Sequence, residues 1–198
     1  FRSKECMSDA ETFDFIVVGA GSAGCVLANR LTESGRYSVL LLEAGGRDLS
    51  PWIHIPLGYG KLFNHSKYNW LYQSEPEPGM DNRRIIQPRG KVLGGSSSIN
   101  GLIYIRGQRR DFDGWRQAGN TGWSFDDVLP YFRKAERQQH GADELHGGDG
   151  PLPVSDPRSR HELCDAFIAT AAACGYRRND DFNGAARSEE HTSELQSH

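Results

Sequence analysis

Three glycines and one acid carry the clearest chemistry in this chain. Gly19, Gly21 and Gly24 lie in the run GAGSAG, with Ser22 and Ala23 between the last two, and Glu43 follows nineteen positions after Gly24. Each has a mechanical role. Gly19 permits a tight turn, Gly21 lets the backbone approach a pyrophosphate, and Gly24 lets a helix pack close to a strand. A helix opening there presents unpaired N–H groups and the positive end of its dipole to phosphate. Glu43 can accept hydrogen bonds from ribose hydroxyls, and an acid at that place disfavours a 2′-phosphate and hence NADP. NAD and FAD both remain open. A lone GxGxxG is more simply a tight turn, but a strand before it, a helix after it and an acid ending the next strand favour a dinucleotide.

A second motif occupies residues 90–113, GKVLGGSSSINGLIYIRGQRRDFD. Gly94 and Gly95 followed by Ser96, Ser97 and Ser98 make a turn dense in backbone and hydroxyl donors. The apolar spacing of Ile99, Leu102 and Ile103 predicts that this turn opens a helix and cradles an anion or a polar ring. The plainer reading is a serine-capped helix start. No histidine joins either motif, and His54, His65, His140, His146 and His161 read as surface or loop imidazoles, the commoner case. His161–Glu162 fails as a metalloprotease pair because Asp165 stands where the second His belongs. No catalytic residue and no metal site is assigned.

The elements that must position these residues follow from periodicity. Phe13–Val18 is a short apolar run that reads as a buried strand ending at Gly19. Ser22–Glu33 reads as a helix with Ala23, Val26, Leu27 and Leu31 on one face and Gly35 as its stop. Ser38–Glu43 is a second apolar strand. Strand, helix and strand within 13–43 predict a parallel pair, hence α/β architecture around a parallel sheet. Pro51–Pro88 reads as mostly loop. Ser124 and Asp127 have capping-box spacing ahead of Phe125, Val128, Leu129 and Phe132, with a kink expected at Pro130. Ser159 and Glu162 repeat the spacing before Leu163, Phe167, Ile168 and Ala171, with Gly175 as a stop.

Composition excludes several classes. The chain has 198 residues, net charge −3, and 23 glycines, well above the usual roughly 7%. The balance does not suggest a nucleic-acid binder. No apolar run reaches the ~18 residues of a membrane span, and no secretory leader is visible. Cys6, Cys25, Cys164 and Cys174 form no CxxC pair, which reads as reduced thiols in the cytoplasm. Arg83, Arg84, Arg89, Lys91, Arg106, Arg109 and Arg110 form a basic run with one aromatic, Tyr104. It reads as a solvated face that also neutralises a nearby pyrophosphate, not as a nucleic-acid track, which would want stacking platforms. At the ends, residues 1–6 precede a natural-looking start at Met7. Arg187–His198 resembles the peptide encoded by a common sequencing-library adapter. Both are expected to be foreign, leaving 7–186 as native sequence.

The second motif, with LLEAG at Leu41–Gly45, PRGKVLGGSSSIN at Pro88–Asn100 and HGGDGPLPV at His146–Val154, resembles the glucose–methanol–choline (GMC) oxidoreductases over Phe13 to Gly184. The likeness is to the bacterial choline- and alkanol-dehydrogenase branch. It implies a Rossmann-like, three-layer FAD-binding domain, here its N-terminal part, broken off before the sheet and the substrate domain are complete. Gly19, Gly21, Ser22, Ala23 and Gly24 would hold the FAD pyrophosphate, and Glu43 the adenosine ribose with Ala44 beside it. Val92, Gly95, Ser96, Asn100, Gly101 and Ile103 would line the flavin and its ribityl chain. Ile99 stands where some members carry a flavin-linking His, so non-covalent FAD is expected. The resemblance implies oxidation of an alcohol by hydride transfer to flavin N5, with oxygen, a quinone or another acceptor taking the electrons. That acceptor would be the only reason for a peripheral membrane association. The family's catalytic His and its partner lie far downstream of this chain's last residue. A non-catalytic dinucleotide-binding module and an NAD-dependent dehydrogenase are the competing readings. Exposed apolar surface and poor solubility are expected of the chain alone.

Overall fold

The computed structural model describes residues 11–159 and 161–185. The expectations for residues 1–6 and 187–198 lie outside the described residues. The chain divides after Ile103 into two compact units.

The first unit begins with the expected strand–helix–strand. β1 (Phe15–Val18) pairs in parallel with β2 (Val39–Leu42), Phe15 opposite Val39 and Val18 opposite Leu42, and α1 (Ser22–Thr32) connects them. Both ends of the register are pinned. At the start, the Asp14 carboxylate accepts from the Ser38 backbone N–H at 2.7 Å and the Ser38 hydroxyl at 2.8 Å. Those bonds, the backbone one foremost, hold the Asp14 carboxyl below its ordinary range. At the far end the Gly19 N–H donates to Leu42 O at 2.7 Å. Gly35 adopts φ +67° just past α1 and donates its N–H to Thr32 O, the stop that the sequence predicts.

Two expectations need correction. β1 is not buried on both faces: Val17 is buried, but Val18 is 82% exposed. Parallel strands are normally covered on both sides by helices; the helix seen packed on this pair is α1. Pro51–Pro88 is mostly loop, as expected, but carries short elements that the sequence did not show. It holds α2 (Pro51–His54), a 3-10 turn at Pro56–Gly58, α3 (Tyr59–Leu62) and an antiparallel pair of β3 (Tyr72–Gln73) with β4 (Ile86–Gln87). These elements are too short for a hydrophobic period to reveal, yet Leu62 and Tyr68 from this stretch form the buried core with Val92 and Ile99. No helix follows the second glycine turn. Gly95–Ser98 makes one 3-10 turn and residues 101–108 are irregular. The Asn100 side chain accepts from the Leu102 N–H at 3.0 Å, and Leu102 sits at φ +60°, which a right-handed helix cannot contain.

The second unit contains α4 (Arg109–Gln117), which the sequence reading missed, and α5 (Phe125–Ala135). Ser124 caps α5 as expected: its backbone N–H donates to Asp127 Oδ2 at 3.0 Å, and its hydroxyl accepts from the Asp127 N–H at 3.3 Å. Helical geometry runs through Pro130 to Ala135. Phe112 joins the two helices, with its ring against those of Trp115, Phe125 and Phe132. β5 (Glu136–Gln138) then pairs in parallel with β6 (Leu152–Val154). α6 (Glu162–Ala173) ends at Gly175 as expected, with φ +92° there. Its N-cap is His161, not Ser159: a ring nitrogen of His161 accepts from the Leu163 N–H at 3.2 Å.

Candidate functional site

The two glycine-bearing turns meet within the first unit. The Gly94 N–H donates to Ala20 O at 2.8 Å, and Leu93 N donates to Gly46 O at 2.9 Å. The packing depends on glycine, once between the turns and once within the first. A Cβ on Gly95, itself at φ +57°, would stand 2.8 Å from Gly21 Cα, and one on Gly24 would stand 1.8 Å from Gly19 O. Any side chain at either position would push the turns apart or lift α1 off β1.

Glu43 ties the first turn to the end of β2. One carboxylate oxygen accepts from the Ala20 N–H at 2.8 Å and the other from the Gly45 N–H at 2.9 Å. The acid at the end of β2 thus braces the first turn before any ligand is considered, and each oxygen retains acceptor capacity.

α1 opens at Gly21 with no side-chain cap and no acid in its first turn. Its first backbone bond runs from the Cys25 N–H to Gly21 O at 2.9 Å. The N–H groups of Ser22, Ala23 and Gly24 therefore have no backbone acceptor among the described residues, and together they favour an anion. Ser22 and Ala23 are exposed while Gly24 is buried.

The other predicted residues separate into two groups. Gly95 and Ser96 belong to the second turn, where the Ser96 hydroxyl accepts from the Gly90 N–H at 3.1 Å. Ala44 is exposed beside Glu43. Val92 is wholly buried in the core and can only back the wall of a cradle. Asn100, Gly101 and Ile103 lie on the exposed irregular segment, Ile103 at 82% exposure. Sequence reasoning missed Ala20, wholly buried, whose N–H and carbonyl join Glu43 to the second turn. Nothing about an alanine announces such a role.

The basic run is engaged locally. Arg84 bonds Ser74 O and lies near Glu75, Arg109 pairs with Asp126 and lies over the Phe125 ring, and Lys91 lies over the Trp70 ring. Arg106 is buried against Glu136. A cleft of about 630 Å³ in the second unit is lined by Asp143, His146, Arg177, Arg178 and Asp181 among others. Its charges are mixed, with Arg178 paired to Asp180, so it offers no directed field to an ion. No group of three or more His, Cys, Asp or Glu among the described residues could hold a metal ion. No helix among them is long and apolar enough to cross a membrane.

The family described as GMC oxidoreductase matches residues 13–195. The chain belongs to the GMC oxidoreductases. It is 49% identical over 175 residues to an oxygen-dependent choline dehydrogenase of Photobacterium profundum, covering 87% of this chain and 31% of that protein. It is also 49% identical to the mitochondrial choline dehydrogenase of Mus musculus, covering 88% and 30%. The crystal structure of pyridoxine 4-oxidase from Mesorbium loti superposes with a TM-score of 0.80 at 38% identity, covering 85% of this chain and 33% of that one. A formate oxidase of Aspergillus oryzae RIB40, whose study concerns FAD modification, gives 0.77 at 32% identity, covering 89% and 33%. This GMC chain thus spans about a third of the length of the relatives it matches.

Proposed function

We propose that this chain supplies the FAD-binding part of an oxidoreductase acting on the CH–OH group of a small alcohol, choline-like in class. The observation that carries the reading is the meeting of the two glycine turns at Ala20 and Gly94, with Glu43 bracing the first. It is supported by the likeness to choline dehydrogenases, by the likeness to a formate oxidase in which FAD is modified, and by the Rossmann-like strand–helix–strand.

The residues present fit such a ligand. The free N–H groups at Ser22, Ala23 and Gly24 would hold the pyrophosphate, and Glu43 the ribose hydroxyls, with Ala44 alongside. Gly19 and Gly21 keep that approach clear of side chains. Gly95 and Ser96 would meet the flavin side, backed by Val92, with Asn100, Gly101 and Ile103 following along it. Bound FAD supplies a two-electron acceptor for the carbinol hydride. The chain's own contribution is to bind, orient and neutralise. Because Ile99 replaces any flavin-linking His, the FAD is non-covalent. The electrons leave to oxygen, a quinone or another acceptor, and the setting is cytoplasmic.

The test uses the full-length protein carrying this sequence. It is expected to purify yellow, with absorbance near roughly 450 nm, to release its colour into the supernatant on acid precipitation, and to reduce an artificial acceptor when given choline or a simple alkanol. A colourless protein that takes up NAD and not FAD would overturn the reading.

A further inference from the structure

We propose that Asn69 is a positioning residue for the second glycine turn, holding the strand that feeds it in the place where the ligand's flavin end must sit. Asn69 is 1% exposed, and nothing in its sequence surroundings singles it out. Its side chain joins three segments of the first unit. Nδ2 donates to Phe63 O at 2.8 Å, just past α3. Oδ1 accepts twice, from the Leu71 N–H at 3.0 Å and from the Arg89 N–H at 3.0 Å, twenty residues on.

The Arg89 bond matters because of where that strand leads. Arg89 to Val92 run beside Tyr68–Trp70: the Trp70 N–H donates to Arg89 O at 2.9 Å, the Lys91 N–H donates to Tyr68 O at 2.8 Å, and Asn69 and Gly90 form an antiparallel bridge. Two residues past Val92 the chain reaches Gly94, whose N–H meets Ala20. On its other side the same strand is held by the bridge between Val92 and Gly46. Asn69 and Gly46 thus grip the arm from opposite sides. Asn69 also sustains a strained neighbour: Leu71 sits at φ +56°, a conformation unfavourable for a residue with a Cβ, and its N–H is one of the two that Oδ1 accepts. A buried amide so fully engaged is costly to truncate, because two backbone donors lose their acceptor at once.

This inference rests on the FAD reading for its ligand, so the experiment has one readout that needs no ligand. Asn69→Ala and Asn69→Asp are made in the full-length protein. Amide hydrogen exchange is followed over residues 89–98, and FAD affinity is measured by titrating apoprotein. Only alanine loses the acceptor of the Arg89 N–H; aspartate keeps it and, protonated in this buried site, still donates to Phe63 O. Asn69→Ala is expected to lower protection over 89–98 and to weaken FAD binding, each about tenfold, whereas Asn69→Asp stays within about threefold of wild type. Equal behaviour of the two variants, or lost protection with unchanged FAD affinity, would overturn the inference. If the wild type binds no FAD but the exchange pattern appears as described, the ligand reading fails and the hold of Asn69 on the turn stands.

Discussion

The two units solve the same problem, fixing a loop in place, by opposite means. In the first unit the turns are held by backbone groups meeting across glycines, with one carboxylate, Glu43, receiving two backbone N–H groups. In the second, the loop around His146 is held by charged side chains removed from water. Glu136, 0% exposed, accepts from Arg106, from His146 Nδ1 at 3.1 Å and from the Gly147 N–H at 3.2 Å. The other His146 nitrogen reaches Asp181 at 2.9 Å, and Arg106 also donates to Leu145 O. A backbone cradle leaves donors free for a ligand. A charged knot saturates its groups and leaves little to offer, which suits the first unit rather than the second to the proposed ligand.

The comparison breaks most visibly at Glu136. Replacing it with alanine leaves the buried Arg106 guanidinium and His146 without their shared carboxylate. The expected loss is about 3–5 kcal/mol, the usual result of removing one partner of a buried pair. Adding Arg106→Met to Glu136→Ala should restore part of that, because the guanidinium that Glu136 neutralises goes with it. Urea unfolding of wild type, single and double variants checks both points. A single-variant loss under about 1 kcal/mol would mean that the knot contributes little.

How far each region can be read from sequence follows from the same difference. The glycine cradle is legible because its geometry forces residue type: at Gly24 only a missing Cβ lets α1 approach Gly19, so the constraint is written in the letters. The strand–helix–strand and the Ser124 cap are legible because they arise from local pattern. The knot is not legible. Arg106 and Glu136 lie thirty positions apart and each looks like a surface charge in its own neighbourhood; only the fold buries them together. Indeed Arg106 reads in sequence as one member of a solvated basic run. The helix expected after Ser98 failed for a related reason. The apolar spacing of Ile99, Leu102 and Ile103 is helical, but Asn100 bonds the backbone locally and Leu102 turns left-handed, so side-chain competition overrides the period.

A smaller effect tests the cradle itself. Gly24→Ala places a methyl group 1.8 Å from Gly19 O, an atom of backbone that cannot swing aside. The expected loss is about 3 kcal/mol, the upper part of the overpacking range, with FAD affinity falling alongside because the N–H groups of α1 move with the helix. Equilibrium unfolding and flavin titration of the full-length variant measure the two effects separately. If stability falls while affinity holds, the helix start is not what grips the ligand, and the cradle would have to rest on Glu43 and the second turn.

The smallest expected effect concerns His146 and runs with pH. Burial disfavours its charge, but the hydrogen bonds to Glu136 and Asp181 and the charges of both acids outweigh it, so its pKa is raised above the ordinary value. Geometry explains why: a ring placed between two carboxylates satisfies both only with a proton on each nitrogen. The folded state therefore binds the proton more tightly than the unfolded chain, whose His titrates near about 6.5. The stabilisation is complete below that value and is lost as pH rises through the folded-state pKa. Asp143 works in the opposite direction. Burial raises its pKa, but bonds from the His146 and Leu145 N–H groups lower it further. Its contribution is present above the ordinary carboxylate range and fades only in acid. Melting temperatures of the wild type and of His146→Gln, followed from about pH 5 to 9, should therefore converge on the alkaline side and diverge towards neutral pH. Parallel curves across the whole range would show that His146 is held neutral, and that its two acids are bridged by something other than an imidazolium.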